Sequence, residues 1–131
     1  MLFACGCAIR EDGITGNYRL NNVGANVITL EIRRDRTFVQ HIHLAGKSEF
    51  VASGAWGLNR VPATKIAPSS GKANFDPHAA ATIYLTNAYS FENCPQCDAK
   101  RYDSVALPIE RLLRIVILVE DPDSAIGYEK Q

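Results

Sequence analysis

Apolar and polar residues alternate with a period of two from Val27 to Leu44, and this pattern constrains the fold more than any other feature of the chain. Over Val27 to Arg33, Ile28, Leu30 and Ile32 fall on one side and Thr29, Glu31 and Arg33 on the other. Arg34-Asp35-Arg36 then supplies a tight turn, because Asp bonds its own backbone and tolerates unusual torsions there. Alternation resumes over Thr37 to Leu44, with Phe38, Gln40, Ile42 and Leu44 on one face. Successive side chains of a strand point to opposite faces, so the two runs form a β-hairpin, apolar inside and polar or charged outside. No stretch of the chain sustains the period of 3.6 that an amphipathic helix needs.

The remaining segments extend the same reading. A short strand over Asn17 to Leu20 is entered through Gly16. Phe50 to Leu58 places Phe50, Ala52, Gly54, Trp56 and Leu58 on one face. Gly54 marks a bend or a close approach by another strand or a bulky ring, and Trp56, the one tryptophan, anchors the core. Further strands are expected over Thr64 to Ala67, inside the loop-rich stretch Asn59 to Pro77, and over Thr82 to Asn87, Leu113 to Val119 and Ala125 to Lys130. Ala88 to Ser104 is read as a long polar excursion, and Pro108 to Leu112 as one helical turn. Seven or eight short strands joined mostly by tight turns define an all-β fold, an antiparallel up-and-down meander closed or nearly closed into a barrel. A β-sandwich with Greek-key connections is the alternative. At 131 residues the chain makes a single domain, read as residues 13–131, with residues 1–12 as a linker or tether.

Fourteen Lys and Arg balance fourteen Asp and Glu, and this zero net charge argues against a role on nucleic acid or on an anionic membrane surface. The basic group Arg33, Arg34 and Arg36 is interrupted by Asp35 and decorates a turn. No apolar run approaches the roughly 20 residues of a membrane-spanning helix. The sequence holds no Gly-x-Ser-x-Gly elbow, no phosphate-binding P-loop and no His-Glu-x-x-His, and its carboxylates are scattered, mostly in turns. A non-catalytic protein is therefore expected.

Leu2-Phe3-Ala4-Cys5 resembles the end of a bacterial lipoprotein signal, with Leu three residues before a Cys and a small residue just before it. That resemblance makes Cys5 the acylated residue. Gly16-Asn17-Tyr18-Arg19-Leu20, the Asp35 hairpin leading into Thr37-Phe38, and Ser53-Gly54-Ala55-Trp56-Gly57-Leu58 together resemble small lipocalin-like bacterial lipoproteins of the calycin type. The closing Ile126-Gly127-Tyr128-Glu129-Lys130 is similar to the ends of uncharacterised members of that group. The resemblance implies a β-barrel in the cell envelope, lipid-anchored or periplasmic or secreted, with a cytoplasmic location as the alternative. It implies no catalytic residues and no cofactor. A small apolar ligand or an envelope protein is the partner it suggests, with membrane contact only through lipid on Cys5.

Cys94-Pro95-Gln96-Cys97 is the sharpest chemical signal and supports three readings. As a disulfide closing a four-residue loop, it suits an oxidising compartment and contributes roughly 2 kcal/mol before strain. As a redox dithiol it would need a helix start, and the following Asp98 to Asp103 carries no amphipathic helix pattern. As half of a zinc or copper site it would need Cys5 and Cys7, or His41 and His43. Cys5-x-Cys7 is tighter than the usual ligand spacing. His41 and His43 share one face of a strand, where an exposed polar face is the simpler account and metal ligation the sharper one. His78 sits in a Pro-containing loop, tied to neither.

Overall fold

The computed structural model describes residues 10–47, 49–59, 71–73, 81–92, 98–112, 115–121 and 126–131. A four-residue helix, α1 (Glu11–Ile14), is followed by β1 (Gly16–Leu20), β2 (Val27–Ile32), β3 (Thr37–His43) and β4 (Glu49–Asn59). After these come β5 (Gly71–Ala73), β6 (Ala81–Glu92), β7 (Asp98–Leu112), β8 (Ile115–Asp121) and β9 (Ile126–Lys130). Eight strands pair antiparallel in the cyclic order β1-β2-β3-β4-β6-β7-β8-β9, and β9 returns to β1, closing a barrel. The up-and-down meander expected from the alternation is the fold. The short β5 stands outside that cycle and pairs in parallel with Ser104 to Ala106 of β7.

The leading hairpin forms as its pattern dictates. Ile28, Leu30 and Ile32 face Ile42, Gln40 and Phe38 across the β2–β3 ladder, and all six are buried. Asp35 Oδ1 accepts hydrogen bonds from the Thr37 N–H at 3.1 Å and the Thr37 hydroxyl at 2.5 Å, which sets the turn. Those two bonds hold the Asp35 carboxyl below its ordinary pKa. Arg36 takes up the left-handed backbone, with φ of 70°, that closes it.

Two expectations are corrected in the second half. Ala88 to Ser104 is no excursion: residues 88–92 belong to β6 and 98–104 to β7, a long hairpin in register from Ala81↔Ile109 to Glu92↔Asp98. Pro108 to Leu112 is strand, not a helical turn. Pro108 is tolerated because on one edge it falls between the part of β7 paired with β5 and the part paired with β8. The strand expected at Leu113 to Val119 is β8, running from Ile115 to Asp121. The strand expected at Thr64 to Ala67 lies outside the described residues.

Inward-facing side chains fill the barrel. Tyr18, Tyr128, Phe38, Phe91, Ile83, Leu85 and Leu107 are fully buried, each such side chain contributing roughly 1.5–3 kcal/mol. One end is closed by α1, which drops Ile14 into the core. The Tyr18 hydroxyl donates to the Ile14 carbonyl at 2.5 Å, and Lys130 Nζ donates to the Gly13 carbonyl at 2.7 Å. Buried Trp56 donates its indole N–H to the Arg33 carbonyl at 2.7 Å, while Arg36 lies over its ring at 4.7 Å and pairs with Glu11. At Gly54 a Cβ would stand 2.5 Å from the Thr86 carbonyl oxygen and 3.1 Å from the Phe38 ring, the close approach that the glycine predicted.

Candidate functional site

Two groups of polar residues stand out, one inside the barrel and one outside it. The inner group follows from two breaks in the wall. β4 pairs with β6 only over Trp56 to Asn59, and β8 pairs with β7 only over Ile115 to Leu118. Beyond those points β6 turns at Asn87, whose φ is 53°; it keeps its ladder with β7, but its other edge has no β4 partner. Its backbone needs partners, since unpaired buried amides are costly.

Side chains supply them from both sides. Gln40 on β3 donates from Nε2 to the Tyr89 carbonyl at 3.0 Å and accepts the Tyr89 N–H at 2.9 Å, replacing a missing strand. The same Nε2 donates to the Tyr128 hydroxyl at 2.8 Å. From β8, Glu120 accepts the Phe91 N–H at 3.1 Å and the Ser90 hydroxyl. Glu120 is the extra residue of a β-bulge opposite Gly127 and Ile126, and bulges re-aim side chains in this way. β3 and β8 each lie two places from β6 around the barrel, so β6 past Asn87 is carried across the barrel mouth.

Burial and, next, the negative charge of Glu120 push the Tyr128 phenol well above its ordinary pKa, and the Gln40 bond opposes them. Gln40, Glu120 and Ser90 are all buried, so this cluster closes the mouth and presents no reacting group to solvent. Sequence marked Gln40 as the polar member of an apolar face. Glu120 is one of the scattered carboxylates to which sequence assigns no role, because only the bulge turns it inward.

The outer group lies on β2, β3 and β4. Register places Thr29, His41 and Val51 in one row across the three strands, and Val27, His43 and Glu49 in the next. All six side chains line one surface depression with Phe50 at its edge. His41 and His43 are exposed together, and Val51 and Val27 remain 57% and 39% exposed beside them. His43 Nδ1 lies 3.1 Å from Glu49 Oε1. An ionised carboxylate can only accept, so in this contact Nδ1 is the donor and Glu49 the acceptor.

The strand parity that put both histidines on one outer face is thus realised, and Glu49 is the neighbour that sequence did not reveal. Among the described residues no three His, Cys, Asp or Glu side chains converge as metal ligands. Cys5, Cys7, Cys94, Cys97 and His78 lie outside the described residues, so the lipidation, disulfide and cysteine–metal readings are not addressed by this geometry.

No family model, curated protein or solved structure gives a significant match to the chain. Fold and site together define a class only: an eight-stranded up-and-down barrel that, among the described residues, buries aromatic and aliphatic side chains inside and bears two histidines on its outer face.

Proposed function

We propose that this protein is a non-catalytic barrel of the bacterial envelope, exported and tethered by lipid on Cys5, that works by holding a protein partner on its outer surface. One observation carries the binding mode. The interior is occupied by its own aromatic and aliphatic side chains, and the mouth is bridged by Gln40 and Glu120. An eight-stranded barrel has room inside for one small ligand or for side chains, and here side chains take that room. Recognition then falls to the surface and to connections between strands. The lipoprotein-like Leu2-Phe3-Ala4-Cys5 supports the tether.

The binding mode is tested by titrating the full chain with a fluorescent long-chain fatty acid. No saturable one-to-one complex is expected. A stoichiometric complex that displaces core side chains would overturn the surface reading in favour of an internal apolar ligand. The tether is tested separately, by metabolic fatty-acid labelling of the chain expressed from its complete gene in a bacterial host. Label that is lost in Cys5→Ser supports it, and an unlabelled wild-type chain ends it.

A further inference from the structure

We propose that His41 and His43 form an open binding site for a divalent transition-metal ion of the copper–zinc type on the outside of the barrel, with Glu49 orienting His43. The site goes beyond the surface-binding function and does not depend on the tether. Residues i and i+2 of a strand share a face and stand roughly 6.6 Å apart at about 3.3 Å rise per residue. Two imidazoles so placed can converge on an ion about 2 Å from each nitrogen.

Glu49 sits behind His43 at 3.1 Å from Nδ1, on the strand register partner of that histidine. A metal-ligating histidine characteristically donates its other ring N–H to a carboxylate, which fixes the tautomer and strengthens the ligating nitrogen. Glu49 therefore serves as the group behind the ligand, not as a third ligand. Water completes the coordination.

The surroundings fit a metal better than a merely solvated polar face. Val27 and Val51 flank the histidines, lowering the local polarity around the open nitrogen positions. Imidazole nitrogen suits copper, nickel and zinc, and a site without geometric enforcement follows the general affinity order that peaks at copper(II). The inference differs from a cysteine-based site in needing neither Cys94 nor Cys97.

The test uses the full chain stripped with chelator, titrated with copper(II) and, separately, with zinc(II). One equivalent of copper(II) is expected, with the electron paramagnetic resonance signature of nitrogen ligation, and zinc(II) binding more weakly at the same place. His41→Ala and His43→Ala, both surface substitutions, should each lower affinity at least ~10-fold, and Glu49→Gln by about 10-fold with both nitrogens still in place. Cys94→Ser/Cys97→Ser should bind copper(II) as the wild type does. Failure of the wild type to bind, unchanged affinity in His41→Ala or His43→Ala, or loss of binding in the double cysteine variant overturns the proposal. Unchanged affinity in Glu49→Gln overturns the role given to Glu49.

Discussion

Gly54 and Gly57 lie three residues apart in β4, yet the structure treats them oppositely. A methyl group at Gly54 would meet the Thr86 carbonyl at 2.5 Å and the Thr86 hydroxyl at 2.8 Å, the latter bonded to the Ala55 N–H at 2.9 Å. Backbone cannot yield there without breaking the seam between β4 and β6. At Gly57 nothing lies within 4 Å of the same methyl group. Gly54→Ala should therefore cost about 3 kcal/mol in a denaturant titration, the upper range of overpacking. Gly57→Ala should stay within about 0.5 kcal/mol of wild type. Equal midpoints for the two variants would show that Thr86 moves aside and that the approach is not tight. Only the first glycine was legible beforehand, because it interrupts the inward face, whereas the outward Gly57 interrupts nothing.

At the scale of elements, legibility tracks whether a strand has one buried face or two. β2 and β3 are buried on one side, so their alternation reads directly, and with it the outward pair His41 and His43. β7 buries five consecutive residues from Val105 to Ile109, and β6 opens on buried Ala81, Thr82 and Ile83, so period two is erased there. The distal half of the same hairpin misleads for another reason. On the β6 edge that lacks β4 its partners are side chains, which leave no pattern in local sequence. Glu49 escaped for the same cause: its place beside His43 depends on the register of β3 with β4.

The surrogate role of Gln40 yields a sharp expectation. Gln40→Met keeps the shape but removes partners from both the N–H and the carbonyl of Tyr89, and a donor from Tyr128. Each orphaned buried group costs roughly 1–3 kcal/mol, so a total near 3 kcal/mol is expected. Hydrogen exchange should localise the damage, with the Tyr89 amide accelerating far more than amides of β2. Uniform acceleration across the barrel would mean that Gln40 supports the whole core and not the β6 crossing.

The whole molecule responds to alkali through its buried phenols. Burial raises the pKa of both Tyr18 and Tyr128, and at Tyr128 the nearby Glu120 charge adds to the effect. Both hydroxyls lie on the inner side of the closed barrel, Tyr18 bonded to the Ile14 carbonyl of the capping helix and Tyr128 to Gln40 at the opposite mouth. A group whose folded pKa is raised contributes stability that is complete below its unfolded pKa and is lost as pH rises above it. The unfolded value for tyrosine is about 10. Above that pH the unfolded chain releases two protons that the folded chain retains, so the folding equilibrium should fall roughly tenfold per pH unit for each tyrosine, a hundredfold for both. Phenolate absorbance from these two residues should then appear only together with loss of β circular dichroism. Tyr128→Phe should halve the steepness of that alkaline transition, because one of the two linked protons is gone. Ionisation of both phenols with the barrel's circular dichroism intact would show that the two ends of the barrel admit hydroxide without unfolding.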